Sequence, residues 1–202
     1  MLIIVEGKYD VGFLDIYLQY LGVGVKDYKF HEVGGNKNLE NQLNKEVETD
    51  EDKKENLREK INKALKEGKK IKIIFDRDDN YESSLQNIKK QLDNDLLPKC
   101  EIFLIPNNQD EGNLEDLFFR IVKEKDILKC LRRSRECIEK IDSEIPNFEP
   151  PDKKAVVYAY AHMFGGAIKD GRIKLKGNIL DILDLNNEYL QPLKNFLLDI
   201  KD

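Results

Sequence analysis

The chain has 202 residues, 40% of them hydrophobic and 36% charged, with a formal net charge of −5. The apolar share suits one core of ordinary size, and a charged share above the usual ~25% describes a heavily ionised surface. The negative balance speaks against a uniformly basic nucleic-acid wrapper while leaving room for local basic patches. No apolar run approaches the ~18 residues of a membrane span.

Leu2 to Val5 is a short apolar run of the kind that forms a buried parallel strand. Gly7 is expected to permit a tight turn into a helix carrying Val11, Leu14, Leu18 and Leu21 at helical spacing. A second strand is predicted over Tyr28 to Val33, closed by Gly34 and Gly35. The run from Glu46 to Lys60 is a solvated, charged loop leading to a helix with Leu57, Ile61, Ala64 and Leu65 turned inward. Lys72 to Phe75 is the third strand, and a helix with Leu85, Ile88 and Leu92 follows. Glu101 to Ile105 is the fourth strand. The loop NNQDEG then leads to a helix bearing Leu114, Leu117, Phe118, Ile121 and Val122 on one face. Alternating strands and helices predict βα units and an α/β fold with a mainly parallel four-stranded sheet flanked by helices.

Beyond residue 123 the strand pattern stops. Residues 123–141 (KEKDILKCLRRSRECIEKI) read as a helix, as do Lys153 to Met163 and Glu188 to Ile200. IPNFEPP is a loop, and HMFGGAIKDG, from His162 to Gly171, reads as a flexible one. Residues 1–123 therefore form the expected core. Residues 124–202 form a helical C-terminal extension, either a subdomain or helices packed at the sheet's edge.

The chemistry concentrates at strand ends. VEGKYD puts Glu6 at the end of the first strand, and IKIIF running into DRDDN puts Asp76 and Asp78 at the end of the third. Ligands of open parallel sheets bind beyond the carboxyl ends of the strands, so these acids converge if strands one and three are neighbours. Residues two apart in a strand share a face, which groups Asp76 with Asp78 if strand geometry persists that far. Such hard oxygen donors suit Mg2+ or Mn2+. Each acid also has a plain structural reading: DRDDN as an Asx-turn, and Glu115 with Asp116 as first-turn acids of a helix capped by Asn113. Lys8 either approaches a phosphate or is an ordinary exposed first-turn residue.

Other features carry less. His31 and His162 have no partner at ligand spacing. LKCLRRSR, Leu128 to Arg135, is the densest basic cluster and reads as a solvated helix face or a phosphate contact. DGRIKLKG, Asp170 to Gly177, is a basic stretch with hairpin-like glycines. Tyr158, Tyr160 and Phe164 are expected to pack. Cys100, Cys130 and Cys137 form no CxxC or zinc spacing, and the N-terminus lacks a basic, then apolar leader, which together predict a reduced, cytoplasmic protein.

Glu6 within VEGKYD, Asp76-Arg77-Asp78 after a buried strand, and the βα units between them resemble the TOPRIM domain over roughly residues 1–123. This catalytic module is shared by topoisomerases, bacterial-type primases and overcoming-lysogenization-defect (OLD) nucleases. The resemblance implies a TOPRIM-like fold in which Glu6 serves as general acid or base and Asp76 and Asp78 hold the divalent metal. Lys8 and Asp10 fall where the OLD type often has EGKxD, and Glu115 in EGNLEDL resembles an acid that those nucleases place after the fourth strand. The chain lacks cysteine pairs for a primase zinc ribbon and has no GxxxxGK[ST], so an ATPase partner would be encoded separately. Nor does FDRDDN continue as DPDxxG. The whole chain is most similar to small stand-alone TOPRIM-related proteins of unknown function. Implied by the resemblance are Mg2+- or Mn2+-dependent phosphodiester hydrolysis or related phosphoryl transfer on DNA or RNA. The alternatives are a non-catalytic metal-binding regulatory or partner protein, and a small-molecule phosphotransferase or phosphatase.

Overall fold

Four strands form one sheet: β1 Leu2–Val5, β2 Lys29–Glu32, β3 Ile71–Asp76 and β4 Cys100–Ile105. All neighbours pair in parallel in the order β2-β1-β3-β4. The computed structural model describes residues 1–35, 37–44, 56–77, 80–141, 148–164, 166–169, 172–175 and 181–200. Apart from Lys72 and the terminal Asp76, the central strands β1 and β3 are apolar on both faces because helices cover both. Only β2, at one edge, has the mixed sequence KFHE with exposed ends.

Strand alternation divides the core. Ile3, Val5, Ile74, Phe103 and Ile105 face one side, where they meet α1 (Lys8–Tyr20), α5 (Leu114–Ile121), α6 (Lys125–Glu139), α7 (Lys153–Met163) and α8 (Gln191–Leu198). Leu2, Ile4, Ile73 and Phe75 face the other, under α2 (Leu39–Asn44), α3 (Leu57–Lys66) and α4 (Tyr81–Gln91). The C-terminal helices pack on the sheet itself: Val156, Tyr160, Leu193 and Leu197 share a cluster with Ile3 and Val5. α/β architecture with a parallel four-stranded sheet flanked by helices is what the sequence predicts.

One local expectation is corrected. HMFGGAIKDG is not simply loop, because Gly166–Lys169 forms β5, which pairs antiparallel with β6, Arg172–Leu175. A two-stranded hairpin therefore interrupts the expected all-helical extension, in register Ile168 opposite Ile173. Gly7 does stand at the turn into α1, as its N-cap, with an extended φ of −154° that any residue adopts. Much of the charged run Glu46 to Lys60 and all of Asp78 lie outside the described residues. Among the described residues no helix is long and apolar enough to cross a membrane.

Candidate functional site

The adjacency of β1 and β3 puts Val5 opposite Ile74, so the two chains leave the sheet side by side. Glu6 then reaches across: its Oε1 accepts the Asp76 backbone N–H at 2.9 Å. The Asp76 Oδ1 accepts the Leu114 N–H at 3.0 Å. Leu114 is the first residue of α5, so the positive end of a helix dipole points at that carboxylate. Asn113 fixes this helix end. Its Oδ1 accepts the Asp116 N–H at 3.2 Å and the Asp116 carboxylate returns to the Asn113 N–H at 3.1 Å, a reciprocal cap.

Glu6 is also held through its backbone. Its carbonyl accepts the N–H groups of Gly34 (2.8 Å) and Gly35 (3.1 Å) at the end of β2. Gly34 has φ 78° and Gly35 has φ 115°, the left-handed region where a side chain is strained. The two glycines let the loop after β2 fold back over the strand end.

Glu6, Lys8, Asp10, Asp76, Glu115 and Lys154 line one cleft of about 540 Å³, together with Gly34 and Gly35. Of the residues expected from the sequence, Glu6, Lys8, Asp76 and Glu115 meet here, and Asp78 lies outside the described residues. β3 ends at Asp76 and Arg77 is no longer strand. Glu115 and Asp116 separate: Glu115 faces the cleft and is only 7% exposed, whereas Asp116 caps α5 and pairs with Lys153 at 2.7 Å.

Two carboxyls on the cleft wall are shifted. Asp10, 8% exposed, is pushed up to about 6, chiefly by burial and further by the charge of Glu115, against the hydrogen bond it accepts from the Gly7 N–H at 2.8 Å. Burial likewise raises Glu115, while Lys154 at 4.0 Å pulls it the other way. Lys154 is the contribution the sequence does not reveal. It comes from the start of α7 and also lies over the Tyr9 ring at 5.4 Å. His31, on β2, has its imidazole pulled down to about 4 by burial and by Lys60, so it is neutral at physiological pH.

The donor set has a definite chemistry. Among the described residues no group of three or more His, Cys, Asp or Glu is close enough to hold a metal ion. The described residues by themselves thus form no cage of protein ligands of the zinc or calcium kind. Mg2+ makes smaller demands, keeping several waters and taking one or two carboxylates plus substrate phosphates. Glu6 and Asp76, hard oxygen donors on adjoining strand ends of an open cleft, fit that second kind of site.

Fold and site together define an α/β protein with a carboxylate-lined cleft at the C-terminal edge of a parallel sheet. Over residues 1–202 the chain matches the family described as protein of unknown function (DUF3226), and it belongs to that family. No curated protein and no solved structure matches it.

Proposed function

We propose that the cleft carries out Mg2+- or Mn2+-dependent phosphoryl chemistry, with hydrolysis of a phosphodiester in nucleic acid as the leading reaction. The observation that supports this is the convergence of Glu6 and Asp76, 70 residues apart in sequence, at the ends of β1 and β3. Packing gains nothing from two acids there. The TOPRIM-like reading of VEGKYD and DRD belongs to the same proposal, as does a cytoplasmic, reducing setting, with which the three free cysteines agree.

Glu6 and Asp76 would hold the cation. When bound, a divalent ion stabilises charge on the entering and leaving oxygens. Glu6 would also steer the attacking water or take its proton, since a carboxylate held by a backbone N–H keeps its position while the other groups move. The α5 N-terminus fixes Asp76. Lys8, exposed at the rim, and Lys154 are positioned to meet non-bridging phosphate oxygens. A volume near 540 Å³ also lies within the range of small-ligand sites, so a nucleotide phosphatase is the second reading.

The test is a cleavage assay on single- and double-stranded DNA and RNA with Mg2+, Mn2+ or EDTA. Metal-dependent cleavage that falls ~10²-fold or more in Glu6→Gln supports the proposal. Hydrolysis of nucleotides alone selects the second reading. Inactivity on every substrate in both metals, with and without a separately encoded ATPase, sinks both and leaves a metal-binding regulatory protein.

A further inference from the structure

A second cleft, of about 490 Å³, lies on the far side of the α5–α7 junction. Its walls carry Arg120, Lys125, Arg132, Arg135 and Lys153, drawn from α5, α6 and α7. The acids lining it are Glu111 and Asp116. Lys153 is matched by Asp116, and Arg135 by Glu139. The other three cations are not within ion-pair distance of a carboxylate among the described residues, though Arg120 acts on the Asp110 carboxylate and Asp184 acts on Lys125. Arg120 lies over the Tyr189 ring at 5.4 Å and Arg132 over the Phe119 ring at 5.6 Å. Lys125 donates to the carbonyls of Phe119 (3.2 Å) and Arg120 (2.6 Å). Burial, and then repulsion from Arg120, lowers the Lys125 ammonium, against the opposing pull of Asp184. Most of the cluster LKCLRRSR is an exposed helix face, from which Arg132 and Arg135 line this cleft.

This cleft adjoins the carboxylate one. Consecutive residues face opposite sides of the junction: Glu115 and Lys154 line the acidic cleft, Asp116 and Lys153 the basic one. We propose that the basic cleft holds backbone phosphates of a single nucleic-acid strand whose neighbouring phosphodiester lies in the carboxylate cleft. Arginines beside half-buried aromatic rings suit a flexible strand, in which guanidinium groups contact phosphates and rings offer stacking faces. The inference rests on the proposed hydrolytic reading for what happens to the strand, but not for its binding.

The experiment measures anisotropy of a fluorescein-labelled single-stranded oligonucleotide, in EDTA, across a salt series. Wild type should bind with salt-sensitive affinity. The double variant Arg120→Gln/Arg132→Gln should bind at least ~10-fold more weakly, with the log–log salt slope reduced by ~0.7 for each phosphate no longer neutralised. Arg132→Lys, which keeps the charge, should stay within about threefold of wild type and guards against misfolding of the neutral variants. Absence of salt-sensitive binding, or a double variant as tight as wild type, overturns the proposal. So does displacement by inorganic phosphate at concentrations matching the strand's own phosphates, which would make this a small-anion site. Strand binding as described without cleavage in any metal overturns the hydrolytic reading alone. Cleavage indifferent to the basic-cleft variants overturns the strand path alone.

Discussion

Strand β3 carries a charged residue near each end, and the two are treated in opposite ways. Lys72, at the start, is fully buried. Its ammonium donates to Glu101 Oε2 at 2.7 Å, to Asp199 Oδ1 at 2.7 Å and to the carbonyl of Phe196, and it lies over the Phe196 ring at 4.4 Å. Lys70 joins the same carboxylate of Asp199 at 2.8 Å. Hydrogen bonds from Lys70 and Lys72 hold the Asp199 carboxyl below its usual range against the opposing pull of burial. This end is a closed ionic knot that ties the end of α8 to the sheet. At the other end Asp76, Glu6 and Asp10 each accept a backbone N–H, and the cleft brings four carboxylates together with two lysines. A charge closed in by side-chain partners serves the fold. At the other end, carboxylates oriented by backbone donors line an open cleft.

Changing Lys72 should give the largest effect on stability. Lys72→Ala removes the buried stem and the hub of three hydrogen bonds at once, and should cost about 2–4 kcal/mol in urea unfolding. Glu101 and Asp199 are partly exposed and can rehydrate, which keeps the cost below that of two stranded buried charges. Lys72→Met keeps the volume and should cost about 1 kcal/mol or less. Equal losses in the two variants would mean that the ammonium, not the packing of its stem, anchors α8.

At the open end the next effect is one of pH. Asp10 has a folded pKa of about 6 against 3.8 as a free side chain, so the folded state binds the proton more tightly. Its contribution is therefore fully present below pH ~4 and is lost as pH rises to about 6, by at most ~2–3 kcal/mol. His31 works the other way. With a folded pKa near 4 against 6.5, it contributes stability above pH ~6.5 that is lost as pH falls toward 4. The two slopes oppose one another between about pH 4 and 6. Asp10→Asn should leave the wild-type slope more strongly positive in that window, and His31→Gln should turn it negative. Melting curves at half-unit pH steps read both, and an unchanged slope in Asp10→Asn would show that its carboxyl is hydrated rather than buried.

A smaller gain should come from the cation itself. Mg2+ at ten times its Kd should stabilise the fold by RT ln 11, about 1.4 kcal/mol. Asp76→Asn should remove most of that gain, whereas Glu101→Gln, at the closed end, should keep it. A gain equally reduced in both variants would reflect general charge screening instead of a site.

The difference between the ends also sorts what the sequence makes legible. Strands show as apolar runs because their side chains alternate between two buried faces, and the βα rhythm orders them. Once β1 and β3 are neighbours, Glu6 and Asp76 must meet. Lys72 reads as the polar start of a strand, because sequence pattern cannot show that α8 returns to cover it. Lys154 is invisible for the same reason: its place depends on α7 packing against α5. The basic cleft hides in three separate segments, of which only LKCLRRSR stands out. The strands β5 and β6 lie among glycines that weaken any strand signal. Local periodicity is written in neighbouring residues, while charge convergence is written in packing.

The smallest expected effect falls on the joint between fold and site. Asn113 caps α5, and the helix it starts aims the Leu114 N–H at Asp76. Asn113→Ala deletes the acceptor for the Asp116 N–H and should cost about 1 kcal/mol, seen as a lower urea midpoint with an unchanged slope. Asn113→Ser, which retains a capping oxygen, should recover most of it. If the cap also sets the direction of the Asp76 carboxylate, Asn113→Ala should lose part of the Mg2+ stabilisation beyond its own cost, and Asn113→Ser should restore it. The competing account is that Leu117, Phe118 and Ile121, all buried against the sheet, hold α5 in place whatever happens at its first turn. In that case the alanine variant is less stable by the same margin at every Mg2+ concentration, and the carboxylate end of β3 is positioned by the core rather than by the cap.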